Sequence, residues 1–217
     1  MRSATREALG ALTTAVQASS GAGVSDAREV LQAARAIERT PQLLAALVDT
    51  NGTAADRQAI VDRVFGALGG EARRLLGVAA AQRWSSGVDL LAGLEDAGIR
   101  IAATASDADV APELHQFEGI VASDADLELA LGGLLGEADD KALVVERLLA
   151  GKASEATLVI VDHLVRSPRG RRIGALLRQA AATVADAAGA GIATVTTAVP
   201  LPDTQLRRLE ASLAQRY

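Results

Sequence analysis

The amino-acid sequence predicts a mainly α-helical protein, and three observations indicate this fold class. Apolar residues recur at spacings of three and four along almost the whole chain, as on the buried faces of amphipathic helices. Ala, Leu and Val supply most of the apolar residues and only 2% of the 217 residues are aromatic, which suits close packing of helices. Hydrophobic residues make up 49% and charged residues 23%, a composition typical of globular domains.

The same totals exclude several classes of protein. The chain has no Cys and only two His, so we expect no disulfide, no thiolate chemistry and no structural zinc site. A net charge of −5 argues against nucleic-acid binding over a large surface. No apolar run approaches the roughly 20 residues needed to span a bilayer, and the amino terminus lacks the apolar core of a signal peptide. We therefore expect a cytosolic chain that does not insert into the membrane.

Glycines, prolines and an Asn-Gly pair divide the first half of the sequence into helices. The boundary signals are Gly21 to Gly23, Pro41, Asn51-Gly52 and Gly69-Gly70. Between them, helices are predicted in order over a stripe of Leu9, Leu12 and Val16, a stripe of Val30, Ala34 and Ile37, and the segments Gln42 to Asp49, Ala54 to Phe65, Ala72 to Trp84 and Gly87 to Ala97.

The second half begins after a weakly periodic segment, Ile99 to Ala111, which we interpret as a connector. Helices are then predicted over Glu113 to Val121, Leu127 to Leu135, Lys141 to Leu149, Glu155 to Val165 and, as the longest, Pro168 to about Ala188. The glycines of Gly189 to Ile192 are interpreted as the stop of that long helix. A β-rich run, Thr194 to Val199, follows and predicts a strand, and Leu206, Leu209 and Leu213 at helical spacing predict one more helix.

An internal duplication is indicated when the chain is shifted by 84 positions. The segment Asn51 to Val64 then lies on Leu135 to Leu148, with Gly52 on Gly136 and Arg63 on Arg147. Ala-rich helices also align by chance, so chance similarity remains the alternative. If the duplication is real, the domains are an amino-terminal helical unit (residues 1–105), a second, related helical bundle unit (112–190), and the incomplete start of a small α/β carboxyl-terminal domain (191–217).

Few residues offer chemistry, and each has a structural interpretation that we prefer. Asp162 and His163 point about 100° apart on a helix, so His163, like His115, is predicted to be a surface or interhelical histidine and not a catalytic base. Asp139 and Asp140 are interpreted as favourable charges at a helix start.

The cluster RSPRGRR, Arg166 to Arg172, has two open interpretations: a solvated turn, which we favour, or an anion site. Trp84, the only Trp, is interpreted as packing between helices, with a binding hot spot as the alternative. No catalytic residue, cofactor site or metal site is predicted, and a chain of this kind most often works by holding other proteins. An unrecognised enzyme would need a concave pocket that gathers Asp162, His163 and part of the Arg cluster.

The stretch ATVTTAVPLPDTQLRRLEASL, from Ala193 to Leu213, resembles the signature of the delta subunit of F-type ATP synthases, the bacterial equivalent of the oligomycin-sensitivity-conferring protein. The residues that carry the resemblance, in a structural role, are Ala198, Pro200, Leu201, Gln205 and Leu209. A looser resemblance extends back to about Pro112. An additional helical unit ahead of the usual one resembles the long, actinobacterial type. Pro202 departs from the family, which usually has Ser or Thr there.

The resemblance implies a fold and a function. The family continues beyond such a helix with further strands and a Gly-rich segment, so the chain looks truncated, and the strand should pair with another chain or be poorly ordered. The implied function is that of a non-catalytic peripheral-stalk (stator) subunit of the proton-translocating enzyme. It would link the alpha subunits of the catalytic head to the b-type stalk at the cytoplasmic face of the membrane. A free-standing helical adaptor is the alternative.

Overall fold

The computed structural model describes residues 3–133, 136–190 and 201–214. These residues form twelve α-helices and no strand, which confirms the predicted mainly helical class. In chain order the helices are α1 (Ser3–Gln17), α2 (Val24–Glu38), α3 (Pro41–Val48), α4 (Ala54–Val64), α5 (Gly70–Ala81), α6 (Gly87–Thr104), α7 (Val110–Ser123), α8 (Ala125–Gly132), α9 (Ala138–Leu149), α10 (Glu155–Arg166), α11 (Ile173–Ala187) and α12 (Asp203–Ala214).

The helices repeat at the spacing that the sequence indicated. A shift of 84 positions places α1 on α6, α2 on α7, α3 on α8, α4 on α9, α5 on α10 and α6 on α11. The bounds of α3 and α8 then coincide at both ends, and those of the other pairs differ by no more than a few residues. The packing repeats too, because α2 packs on α6 as α7 packs on α11, and α4 packs on α5 as α9 packs on α10. The repeated packing supports a genuine internal duplication.

The two repeats share one helix. In the first repeat α1 packs on α5 and α6, and in the second repeat α6 packs on α10 and α11 in the same way. Helix α6 is therefore both the sixth helix of the first repeat and the first helix of the second. Its buried residues cover most of its circumference, among them Leu91, Leu94, Ile99 and Ala102, as expected of a helix enclosed on several sides.

A buried basic residue makes the same contact in each repeat. Arg57, 6% exposed, donates from Nη1 to the carbonyl oxygen of Asp49 at 3.1 Å. Lys141, 84 positions later and 9% exposed, donates from Nζ to the carbonyl oxygen of Gly133, which is 84 positions after Asp49. Each cation thus satisfies a carbonyl group that follows the third helix of its repeat, where no helical partner is available.

An acidic residue also fixes the fifth helix of each repeat. Glu29 on α2 accepts a hydrogen bond from the backbone N–H of Gly69 at 2.7 Å, just before α5. Glu113, its equivalent on α7, accepts one from the backbone N–H of Ser154 at 2.9 Å, just before α10. A carboxylate at a helix N-terminus binds exposed N–H groups and interacts well with the helix dipole.

The buried side chains of both repeats form one continuous hydrophobic core. Helix α6 packs with helices of both repeats. The predicted division into one unit that ends at residue 105 and another that begins at residue 112 therefore stays an interpretation of the sequence.

Trp84 is 4% exposed, its Nε1 donates to the carbonyl oxygen of Ala79 at 2.8 Å, and its ring lies against Gly93 of α6. Trp84 therefore packs between helices, as predicted.

Two predicted boundaries differ from the structure. The connector predicted over Ile99 to Ala111 is wrong in its first half, because α6 continues to Thr104. The helix predicted from Pro168 begins only at Ile173, since Arg169 and Gly170 adopt left-handed backbone angles (φ 51° and 72°) that a helix excludes. Its predicted stop is confirmed, with Gly189 at φ 68° after α11.

The predicted strand, Thr194 to Val199, lies outside the residues that the structure describes. Among the described helices, none combines the length and the apolar character that crossing a bilayer requires.

Candidate functional site at the junction of the two repeats

A buried carboxylate lies at the junction where α2, α6 and α10 meet. Glu95 on α6 is 5% exposed. Its two oxygens accept hydrogen bonds from Arg171, Nη1 to Oε1 at 2.9 Å and Nη2 to Oε2 at 3.0 Å, and a further one from Arg169. Nε2 of His163 on α10 lies 3.2 Å from Oε2. A bidentate Arg pair with further donors satisfies a buried carboxylate well.

The turn between α10 and α11 presents both arginines. Arg169 and Gly170 reverse the backbone, and Ser167, 6% exposed, donates from its hydroxyl group to Glu38 on α2. Nε of Arg169 also lies 4.0 Å from Oε1 of Glu38. The turn of the second repeat is thus bound to α2 and α6, which pack together in the first repeat.

His163 is held as a neutral imidazole. Nη1 of Arg35, on α2, lies 3.1 Å from Nδ1. A guanidinium group only donates, so Nδ1 accepts and Nε2 carries the proton that it donates to Glu95. Burial lowers the pKa of His163, which agrees with this tautomer. The prediction of an interhelical histidine is confirmed for His163.

Asp162 does not orient His163. Its Oδ1 accepts a hydrogen bond from Nε of Arg166 at 2.6 Å, and its Oδ2 lies 3.6 Å from Nη2 of Arg35. The structure therefore gathers Asp162, His163 and the Arg cluster in one region, but Asp162 and the arginines form ion pairs and His163 is held by hydrogen bonds. In the part of the chain that the structure describes, no group of three or more His, Asp and Glu side chains is placed to hold a metal ion.

The pKa of Glu95 predicts how the junction responds to acid. Burial alone would raise this pKa, but hydrogen bonds from His163 and Arg171 and the charge of Arg169 lower it to about 2. The folded-state pKa is therefore below the ordinary value of 4.5, so the stabilisation is complete above pH 4.5 and is lost as the pH falls towards about 2. We expect the free energy of unfolding to decrease more steeply over this range in the natural chain than in Glu95→Gln.

Urea unfolding at a series of pH values, followed by circular dichroism, measures this difference. Equal slopes in the two proteins would mean that the carboxylate of Glu95 does not stabilise the junction.

An open groove lies beside this cluster, between α2, α9 and α10, with a volume of about 860 Å³. Its floor is apolar and includes the buried side chains of Leu31, Val145 and Val159. Its rim carries basic residues on α2 and acidic residues on α9, and Arg28 on α2 binds Glu155 on α10 at 2.8 Å. An apolar floor between charged rims suits contact between helices and offers no nucleophile with an adjacent base.

The preferred interpretation of the Arg cluster as a solvated turn was wrong, since Arg169 and Arg171 bind Glu95 inside the protein. Sequence reasoning missed Glu95 itself. A signal was available: Glu95 lies on the apolar helical stripe that Leu91, Gly98 and Ala102 continue. Asp139 lies in the first turn of α9, as predicted, and also binds Arg166.

The signature residues lie at the carboxyl end. Ala198 and Pro200 fall outside the described residues. Leu201 precedes α12, Gln205 is exposed on α12, and Leu209 is half-buried there. Their structural role as a family signature stays a prediction.

Comparison with known proteins gives a consistent result. Residues 96–217, more than half of the chain, match the family model described as ATP synthase delta (OSCP) subunit. The match begins inside α6 and so covers the second repeat from its first helix.

Similar proteins are found in several actinobacteria. ATP synthase subunit delta of Leifsonia xyli is 46% identical over 220 residues, which cover 100% of this chain and 84% of that protein. The subunits delta of Streptomyces griseus (33% identical; 100% of this chain, 84% of that protein) and Streptomyces avermitilis (34%; 99% and 80%) are also similar. The chain belongs to the ATP synthase delta (OSCP) subunit family.

Proposed function

We propose that this protein is a non-catalytic stator subunit of the proton-translocating F-type ATP synthase. It links the alpha subunits of the catalytic head to the b-type stalk, as a peripheral member of the complex at the cytoplasmic face of the membrane. The proposal rests on membership of the delta subunit family. The family model matches residues 96–217, and the similarity to the delta subunit of Leifsonia xyli extends over the whole chain.

The packing of the chain supports a mechanical role. A stator must resist torque, so its parts must not rotate against each other. The two repeats share α6, have one continuous core, and are tied together by the ion pairs of Glu95. Dense packing and buried polar contacts with fixed geometry transmit force through a rigid body. The reactive groups at the junction are committed to one another, which favours a structural role over catalysis.

Binding to the head and to the stalk tests the proposal. We expect the full chain to co-elute with a catalytic head stripped of its delta subunit, and to bind the b-type subunit in a separate experiment. Both partners are taken from the organism of origin, and a head that retains its delta subunit is the control, which should bind no more protein. Failure to bind either partner at micromolar concentration would favour the free-standing adaptor.

A further inference from the structure

The groove beside the junction, between α2, α9 and α10, runs along α10. Helix α2 lies in the same direction as α10, because Arg28 binds Glu155 at its start, at 2.8 Å, and Glu38 accepts a hydrogen bond from the turn that follows it. Helix α9 lies in the opposite direction, since Asp139 in its first turn binds Arg166 at the end of α10. The 12 residues of α10 extend about 18 Å, so the groove is long enough for about three turns of another helix.

Apolar groups in the groove are open to the surroundings. Leu143 of α9 lines the groove and is 44% exposed, and Ala36 of α2 lines it at another exposed position. These two side chains add to the apolar floor of Leu31, Val145 and Val159. The apolar stripe of an amphipathic helix would cover all of these groups.

The two rims of the groove carry opposite charges. Helix α2 provides three arginines and α9 provides three carboxylates: Arg28, Arg35 and Arg39, and Asp139, Asp140 and Glu146. On the floor, Asp162 and Arg166 of α10 bind each other at 2.6 Å. A helix with charges of one sign only would be repelled by one rim, because like charges across an interface are unfavourable. The groove therefore selects a helix with acidic residues on the flank that faces α2 and basic residues on the flank that faces α9.

A long helix that crosses open solvent has this pattern of charge. Such a helix is polar over most of its circumference and is stabilised by pairs of opposite charge one turn apart. Where it packs on another helix, it keeps a narrow apolar seam with charged residues on both sides. A stalk that reaches from the membrane to the catalytic head must cross open solvent in the same way, so we expect its helix to combine such a seam with charges of both signs.

We propose that the groove between α2, α9 and α10 receives one end of the helix of the b-type stalk. The apolar seam of that helix covers Leu143 and the floor, and its charged flanks face Arg39 and Glu146 on the rims. This inference rests on the proposed function, because that function supplies the partner. Helix α2 belongs to the first repeat and α9 and α10 belong to the second, so both repeats hold the stalk together. The family model begins at residue 96 and does not include α2.

Substitutions in the groove test the proposal with the full chain and the part of the b-type subunit that follows its membrane span. The variants Ala36→Arg and Leu143→Arg place a long charged side chain in the groove, at exposed positions. Matched controls are Ile120→Arg and Ala59→Arg, the equivalent exposed positions 84 residues away in the other repeat. Isothermal titration calorimetry should show about tenfold or more weaker binding by the groove variants, whereas the controls stay within about twofold of the natural chain. Circular dichroism verifies that each variant is folded.

Charge reversal on one rim gives an independent readout. Glu146→Lys reverses a charge on the α9 rim, and Asp62→Lys makes the same change in net charge at the equivalent exposed position on α4. Rim charges act mainly on the association rate and on its dependence on salt. We expect association with the b-type subunit at low salt to be about fivefold or more slower for Glu146→Lys and nearly unchanged for Asp62→Lys.

The outcomes separate the two proposals. Groove variants that bind the b-type subunit as tightly as the controls would overturn this inference and leave the stator function standing. So would groove variants that lose only binding to the catalytic head, or a natural chain that sediments as a dimer while the groove variants sediment as monomers, since the occupant would then be a helix of the head or a second copy. A natural chain that does not bind the b-type subunit would contradict both proposals.

Discussion

Replacing Glu95 by Ala should lower the free energy of unfolding by about 3–5 kcal/mol, the range found when one partner of a buried ion pair is removed. The side chains of Arg169, Arg171 and His163 would keep their positions without the carboxylate that they share. The physical reason for the loss is that Arg169 and Arg171 lose the carboxylate that pairs with their charges, and His163 loses its hydrogen-bond acceptor. Chemical denaturation followed by circular dichroism measures it.

A matched control is Glu7→Ala, which removes an exposed carboxylate from α1. Exposed charges contribute little, so this variant should stay within about 0.5 kcal/mol of the natural chain. Equal stability of the two variants would show that the ion pairs of Glu95 make no net contribution to the junction.

The second large effect is expected from Trp84→Ala, which should destabilise the chain by about 3–5 kcal/mol. The ring is 4% exposed and fills the space that Gly93 leaves on α6. Removal of the ring leaves a cavity at the end of α5 and frees the carbonyl oxygen of Ala79. Thermal unfolding followed by circular dichroism is the suitable measurement. Tryptophan fluorescence cannot be used, because the variant has lost the only Trp.

Val88→Ala is the control for this loss of apolar volume. Val88 lies in the first turn of α6 but is 69% exposed, so its truncation should leave stability nearly unchanged. A Trp84→Ala variant as stable as Val88→Ala would mean that the core closes around the missing ring.

Local signals in the sequence predicted most helices. Pro41 begins α3 at its first position, and Thr53 with Asp56 forms a capping box at the start of α4. Such signals depend on residues a few positions apart. The start of α11 does not, because its first N–H groups bind Glu128, at 2.7 Å for Ile173 and 3.0 Å for Gly174. The carboxylate comes from another helix, and no local pattern reveals it.

The end of α6 was missed for a related reason. Weak periodicity after Ile99 was interpreted as a connector. A helix enclosed on several sides has apolar residues over most of its circumference, so the one-sided pattern that marks a surface helix is weaker. Ile99, Ile101 and Ala102 are all buried, which accounts for the weak periodicity.

The junction itself could not be predicted from the sequence. Glu95 binds residues 68 to 76 positions away, and the pairing depends on how α6 and α10 cross. The family, in contrast, could be recognised from the carboxyl-terminal signature alone. A short motif identifies relatives, whereas the contacts that join two repeats exist only once both have folded.

The shared helix α6 also determines how such a gene can change in length. One period of 84 residues contains five new helices, because the sixth is already present in the neighbouring unit. A tandem insertion of one period, made in frame at equivalent positions, would extend the array without leaving a helix unpacked. Deletion of one period would leave a single six-helix bundle followed by α12. Units can therefore be gained or lost by one recombination event.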